Sequence, residues 1–158
     1  MSEDLSFRQV VGVFPTGVTL VSARGSDGVP WGLTVNSFTS VSLDPPLVLV
    51  CIDRASSTHA TLTEAPTFTV SILGADQTEL ATRFAFDPSD SRFRPGEWRS
   101  ESDGALVPEG AAAWLACDLD AVHEAGDHSI LVGRVRSMGL GTGEALVFYR
   151  GRYAGVSP

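Results

Sequence analysis

The sequence predicts a mainly β fold, an antiparallel barrel with two or three short flanking helices. Three observations carry this: apolar runs of strand length recur at hairpin spacing, Gly- and Asp-rich turns separate them, and helical periodicity is brief wherever it occurs. A β-sandwich of the same strands is the alternative. The 158 residues suit one domain, 1–158, with no internal repeat, linker or low-complexity tract and no room for an appended domain.

The elements follow in order. Phe7, Val10, Val11 and Phe14 recur at helical spacing behind the capping pattern Ser6-x-x-Gln9, and Pro15 and Gly17 stop that helix. Val18 to Ala23 reads as a strand, Gly25-Ser26-Asp27-Gly28 as a turn, and Trp31 to Asn36 as the returning strand. Phe38, Val41 and Leu43 lead to Asp44-Pro45-Pro46, which breaks regular structure. Leu47 to Ile52 is continuously apolar, as a strand buried on both faces would be.

Ser57 to Ala65 predicts a short helix ended by Pro66, and Phe68 to Leu73 another strand. Asp76-x-x-Glu79 has the form of a capping box for a helix running to about Phe84. Residues 86–111, rich in Pro and Gly, read as a long irregular excursion, and such loops usually carry function or motion. Ala113 to Val122, Ser129 to Val135 and Leu146 to Val156 are the closing strands, turned at Gly126-Asp127 and at Gly139 to Gly143.

Composition excludes several chemistries. Eleven basic residues face nineteen acidic ones, for a formal charge of −8, so phosphate-tracking nucleic-acid binding is not expected. Every basic residue is arginine, which removes the P-loop lysine, the Schiff-base lysine and the lysine general base. The acidic start Met1-Ser2-Glu3-Asp4 is unlike a signal peptide, and no apolar stretch could span a bilayer as a helix. Cys51 and Cys117 sit within apolar runs as free thiols, so a cytoplasmic protein with no membrane contact is expected.

Three polar features could carry chemistry. Thr34-Val35-Asn36-Ser37 follows directly on a strand. Ser56-Ser57-Thr58, beside Arg54, fits either plain helix capping or a phosphate site. His128 stands at a loop-to-strand junction, and His123 across the turn could join it with Glu124 or Asp127. That set lacks a clear third metal ligand, so no metal is expected. No G-x-G-x-x-G or G-x-S-x-G occurs.

Taken in order, several runs resemble one family. They are Phe14-Pro15-Thr16-Gly17-Val18-Thr19, Gly32 through Val48, Cys51-Ile52, Arg83-Phe84-Ala85, Gly126-Asp127-His128, and Leu146 through Tyr153. The chain resembles the flavin reductase-like domains with a flavin-binding split barrel, which include the reductase components of two-component flavin-dependent monooxygenases. The resemblance implies hydride transfer from NADH or NADPH to FMN or FAD. It implies that Thr34, Val35, Asn36 and Ser37 line the isoalloxazine ring, that Cys51 sits near it, and that Ser56, Ser57 and Thr58 hold the flavin phosphate. Arg83 and Phe84 would border the ribityl or phosphate side. His128 would face the nicotinamide, and Tyr149, Arg150 and Arg152 would contact the dinucleotide. It further implies a homodimer and a separate monooxygenase that receives reduced flavin. The competing readings are a split-barrel oxidase that retains its flavin, as pyridoxamine-phosphate oxidases do, and a non-catalytic flavin- or haem-binding module.

Overall fold

The computed structural model describes residues 5–157. The elements are α1 (Phe7–Val11), β1 (Thr16–Gly17), β2 (Thr19–Arg24), β3 (Pro30–Val35), β4 (Thr39–Leu43), β5 (Pro46–Asp53), α2 (His59–Glu64), β6 (Thr67–Ile72) and α3 (Thr78–Phe86). They continue with β7 (Trp98–Ser100), β8 (Leu106–Pro108), β9 (Ala113–Ala125), β10 (His128–Leu140), β11 (Val147–Tyr149) and β12 (Arg152–Ala154).

Seven strands form one antiparallel sheet in the order β3-β2-β6-β9-β10-β5-β4. No ladder joins the edge strands β3 and β4. Yet Val21 and Val35 at one end of the sheet pack in one core with Val48, Val50 and Ile52 from the other. The sheet therefore curls around its core without closing, as a split barrel does. Leu62 of α2 plugs the same core. A second core lies outside, where Val18, Leu20, Leu73 and Leu146 meet Leu80, Ala81 and Phe84 of α3. A small sheet, β1-β11-β12, flanks this side.

The double core corrects one expectation. Burial on both faces falls instead to β2, whose Leu20 enters one core and Val21 the other, and to β6, whose Phe68, Thr69, Val70 and Ser71 are all buried. In β5 only Val48, Val50 and Ile52 are buried, while Leu47, Leu49 and Cys51 face outward and are half-exposed. The apolar run of β5 thus has one core face and one face left for a ligand. Pro46, expected to break structure, opens β5 opposite Leu43.

The capping pattern at α1 is realised: Ser6 Oγ accepts from Gln9 N–H, and Gln9 Oε1 accepts from Ser6 N–H at 2.7 Å. That of α3 is not. Gln77 stands at the N-cap, its Oε1 taking the Gly74 N–H (2.8 Å) and its Nε2 donating to the Glu109 carbonyl (2.8 Å). The irregular excursion contains the β7–β8 hairpin, and its Phe93 and Trp98 pack on Phe84. At Gly133 in β10, a Cβ would lie 2.5 Å from Phe68 Cζ, so only glycine lets these strands close over that ring. No helix among the described residues is long and apolar enough to cross a membrane.

Candidate functional site

The outward face of β5 is the floor from which the site is built. Strand alternation puts Leu49, Cys51 and Asp53 on one side, and the register with β10 sets His128 opposite Asp53 and Ile130 opposite Cys51. The first residue of β10 therefore stands at the rim of that face. Beside it opens a cleft of about 870 Å³. Its walls are Val11, Gly12 and Phe14 from α1 and the following turn, Thr16, Phe38, Leu49 and Phe148, with Gly151 at one end. Its polar groups are Arg8, Asn36, Ser37, Thr39 and His128.

Of the quartet Thr34 to Ser37, only Asn36 and Ser37 reach the cleft. Thr34 Oγ1 donates to the Ala81 carbonyl at 2.6 Å and ties β3 to α3. Val35 is buried in the core, and its carbonyl accepts from Thr19 Oγ1 at 2.7 Å. Ser37 Oγ donates to the Cys51 carbonyl and accepts from the Cys51 N–H, both at 3.0 Å. It thereby occupies the edge of β5 just beyond the last β4 pairing and holds the 36–38 segment over the cleft. The Asn36 side chain is exposed at its wall.

His128 is half-exposed, and its Nδ1 lies 2.7 Å from Asp127 Oδ1. A carboxylate can only accept, so Nδ1 carries the proton and Nε2 is the nitrogen left for a ligand. The bond from His128 holds the Asp127 carboxyl below the usual carboxylate range, with the imidazole's charge and Arg8 adding to the effect. His123 pairs with Ile130 instead of facing His128. Among the described residues, no group of three or more His, Cys, Asp or Glu side chains could hold a metal.

The loop after β5 leaves the cleft at His128, with Arg54 N–H donating to the Asp127 carbonyl at 2.9 Å. Ser56 Oγ accepts from Thr58 N–H at 3.2 Å, and Ser57 Oγ bonds Ser89 Oγ. Thr58 is fully buried, its hydroxyl turned to the Gly32 carbonyl (3.4 Å), and it does not cap α2. Any ligand at this loop meets Ser56, Ser57 and backbone, not the Thr58 hydroxyl.

Arg83 and Phe84 lie elsewhere. The Phe84 ring is buried between Phe93 and Trp98, with centroids at 4.9 and 5.6 Å. The buried Arg83 guanidinium is bidentate to Glu97, and Glu79 lies 3.6 Å away. In this conformation both residues pack the excursion onto α3. In the C-terminal run, Phe148 and Gly151 line the cleft, and Arg150 lines a groove beside it. Tyr149 and the exposed Arg152 line neither hollow.

The sequence did not mark Arg8, Val11, Phe14, Thr16, Leu49 or Phe148 as site residues. The signal was present at α1, but its apolar residues read as a core-facing stripe. In the structure Phe7 and Phe14 are 80% and 75% exposed, and Phe14 stands at the cleft.

Comparison with known proteins agrees with this architecture. The model of the flavin reductase like domain matches residues 11–157. The chain is 43% identical to a flavin reductase of Pseudomonas putida, covering 96% of this chain and 89% of that protein. It is 41% identical to the reductase component of a 4-nitrophenol 4-monooxygenase/4-nitrocatechol 2-monooxygenase of Rhodococcus opacus, covering 96% and 80%. The NADH:FAD oxidoreductase of Streptomyces globisporus, solved in complex with NAD and FAD fragments, superposes with a TM-score of 0.88. It is 42% identical, over 96% of this chain and 91% of that one. Some relatives are longer: the chain spans 47% of a probable flavin reductase of Rhizobium meliloti, to which it is 40% identical. A match over nearly the whole chain, on a split barrel whose cleft holds Asn36, Ser37 and His128, places this protein in the flavin reductase-like domain family.

Proposed function

We propose that the protein is an NAD(P)H:flavin oxidoreductase that passes hydride from NADH or NADPH to FMN or FAD and releases reduced flavin to a separate monooxygenase. The observation that carries it is the cleft with His128 at its rim, in a chain of this family. The cleft suits a flat ring system with polar edges. Leu49, Phe38, Phe148 and Val11 offer apolar surface to the faces of such a ring, and Asn36 offers an amide acceptor and two donors to its edge. The flavin and the nicotinamide supply the hydride chemistry themselves.

The residues of the chain bind and orient. Ser37 fixes the 36–38 segment through Cys51 and so sets where the Asn36 amide points. The apolar walls exclude water from the ring faces. His128, its Nδ1 tied to Asp127, keeps Nε2 available at the cleft rim, where it would hold the carboxamide of a bound nicotinamide in register. Hydride transfer between the two rings requires no general acid or base from the chain.

Two further readings belong to this proposal. A homodimer would cover apolar groups left in solvent, including Phe7, Phe14, Leu43 at 94% exposure and Leu140 at 91%. A cytoplasmic location follows from the need for a reduced nicotinamide donor. The test is direct: the purified protein is mixed with NADH or NADPH and with FMN, FAD or riboflavin. Donor oxidation that depends on added flavin is expected. Oxidation without added flavin would show a retained cofactor, and none in any combination would overturn the reading. Light scattering on the same sample gives the oligomeric state.

A further inference from the structure

The loop that leaves β5 grips β10 on either side of His128. At Asp127 the grip is main-chain: the Arg54 N–H donates to the Asp127 carbonyl at 2.9 Å. At Ser129 it is made by side chains: His59 Nε2 and Ser129 Oγ share a hydrogen bond at 2.8 Å. One short segment, 54–59, thus holds both neighbours of the imidazole at the cleft rim. The segment is closed on itself, with Ser56 N–H donating to the Asp53 carbonyl (3.0 Å) and His59 N–H to the Ser56 carbonyl (3.1 Å).

Packing alone does not call for this bond. Ser129 lies on the inward face of β10, 3% exposed, opposite Ile52 and two residues before Leu131, both of them core residues. A hydroxyl there costs free energy unless it is bonded, and an apolar side chain would fill the position without that need. Its partner is firmly mounted. His59 is the first residue of α2, a helix seated in the same core by Leu62, and the His59 carbonyl accepts from Thr63 Oγ1 at 3.0 Å. A satisfied polar pair at the margin of a core fixes direction where apolar contacts would allow sliding.

The strand needs holding at this point. His128 opposite Asp53 is the last pair of the β10–β5 ladder, so the start of β10 depends on contacts beyond the sheet. The Asp127 carboxylate does not supply them. Asp127 and His128 are neighbours in sequence, so their bond moves with the turn and sets the tautomer, not the place of the imidazole relative to the cleft. The two grips from 54–59 set that place, and His59 itself lines no part of the cleft.

We infer that His59 is a positioning residue for hydride transfer: its bond to Ser129 holds the first residues of β10 so that Nε2 of His128 meets the nicotinamide in register. This rests on the reductase reading. It gives a role in the reaction to a histidine on a different element from the imidazole it serves.

The experiment measures His59→Leu, His59→Gln and Ser129→Ala, alone and each combined with His128→Ala. The readout is stopped-flow reduction of FMN, and of riboflavin, by saturating NADH. His59→Leu and Ser129→Ala are expected to slow reduction about three- to tenfold, and no more than His128→Ala does, the effect of letting an orienting group drift by a fraction of an ångström. His59→Gln, which keeps a polar group within reach of Ser129, recovers most of the rate. In the His128→Ala background the same changes slow reduction less than about twofold further, since the group they position is gone. The factors are the same for FMN and for riboflavin. Full additive slowing in the His128→Ala background overturns the inference. An effect confined to FMN also overturns it and assigns His59 to phosphate binding at Ser56 and Ser57. Ser129→Ala removes the same bond with a smaller change, so a folded Ser129→Ala protein with the wild-type rate overturns the inference even if His59→Leu does not fold. Wild-type protein without flavin-dependent oxidation would remove the reductase reading itself, whereas an active wild type with unaffected variants removes only the role of His59.

Discussion

Nδ1 of His128 lies 2.7 Å from Oδ1 of Asp127, its neighbour in sequence, so the turn that starts β10 also sets the tautomer of the imidazole. Because the Asp127 carboxyl is held below its usual range, this link is present at all pH values above the ordinary carboxylate pKa. It is lost only as pH falls through the depressed value. Asp127→Asn keeps the shape but not the obligate acceptor, and should slow hydride transfer about tenfold, roughly 1.4 kcal/mol in the barrier. His128→Ala should slow it at least as much, with flavin affinity nearly intact in both variants. Stopped-flow reduction at wild-type rates in either variant would remove the imidazole from the mechanism.

Ser37 is expected to matter twice. Ser37→Ala leaves both the N–H and the carbonyl of Cys51 without their partner at the edge of β5. The cost should be about 1–3 kcal/mol, a fall of roughly 3–8 °C in Tm for a chain of this size. Flavin affinity should fall with it, since Asn36 loses its anchor. A thermal melt matching wild type would show that the hydroxyl is dispensable.

Glu97 neutralises the buried Arg83 guanidinium, whose Nε has no partner at all. Glu97→Gln leaves that cation with only Glu79 at 3.6 Å and should cost about 3 kcal/mol in denaturant unfolding. FMN affinity of the folded variant should change less than about twofold, because neither Arg83 nor Phe84 lines the cleft. A selective loss of FMN binding at unchanged stability would return Arg83 to the flavin site.

Burial pushes the Cys117 thiol up to about 12. Its neutral form is the folded one, so the stability it contributes is complete below the unfolded pKa of about 9 and is lost as pH rises toward 12. Iodoacetamide at pH 8 should leave Cys117 unmodified in native protein and label it once the chain is unfolded in denaturant. Mass spectrometry showing native labelling at Cys117 would mean that the β6–β9–β10 core opens readily.

Much of the fold was legible because hairpins and caps are local. Ser6 and Gln9 close a capping box within one turn of chain, and Gly126-Asp127 returns β9 directly into β10. The Asp76 pattern misled because Gln77 found better partners in Gly74 and Glu109, the latter far along the chain. The 86–111 segment looked irregular since its order depends on Phe84, Arg83 and Gly32, none of which lies within it. Arg92, for example, is anchored by donating to the Gly32 carbonyl at 2.7 Å.

At the site, residue type was readable and direction was not. The sequence alone determined the strand and turn chemistry, the exclusion of lysine-based mechanisms, and the family through its ordered motifs. It could not say which face of β5 meets the core, because six successive apolar residues carry no alternation. Nor could it say that Thr58, Arg83 and Phe84 turn inward while Phe14, Leu49 and Phe148 line the cleft. Those choices rest on curling the sheet around one core and laying α3 on a second, which fixes every strand's inside and outside together. A side chain's exposure is set by what crosses over it, and here the crossing elements are distant in sequence.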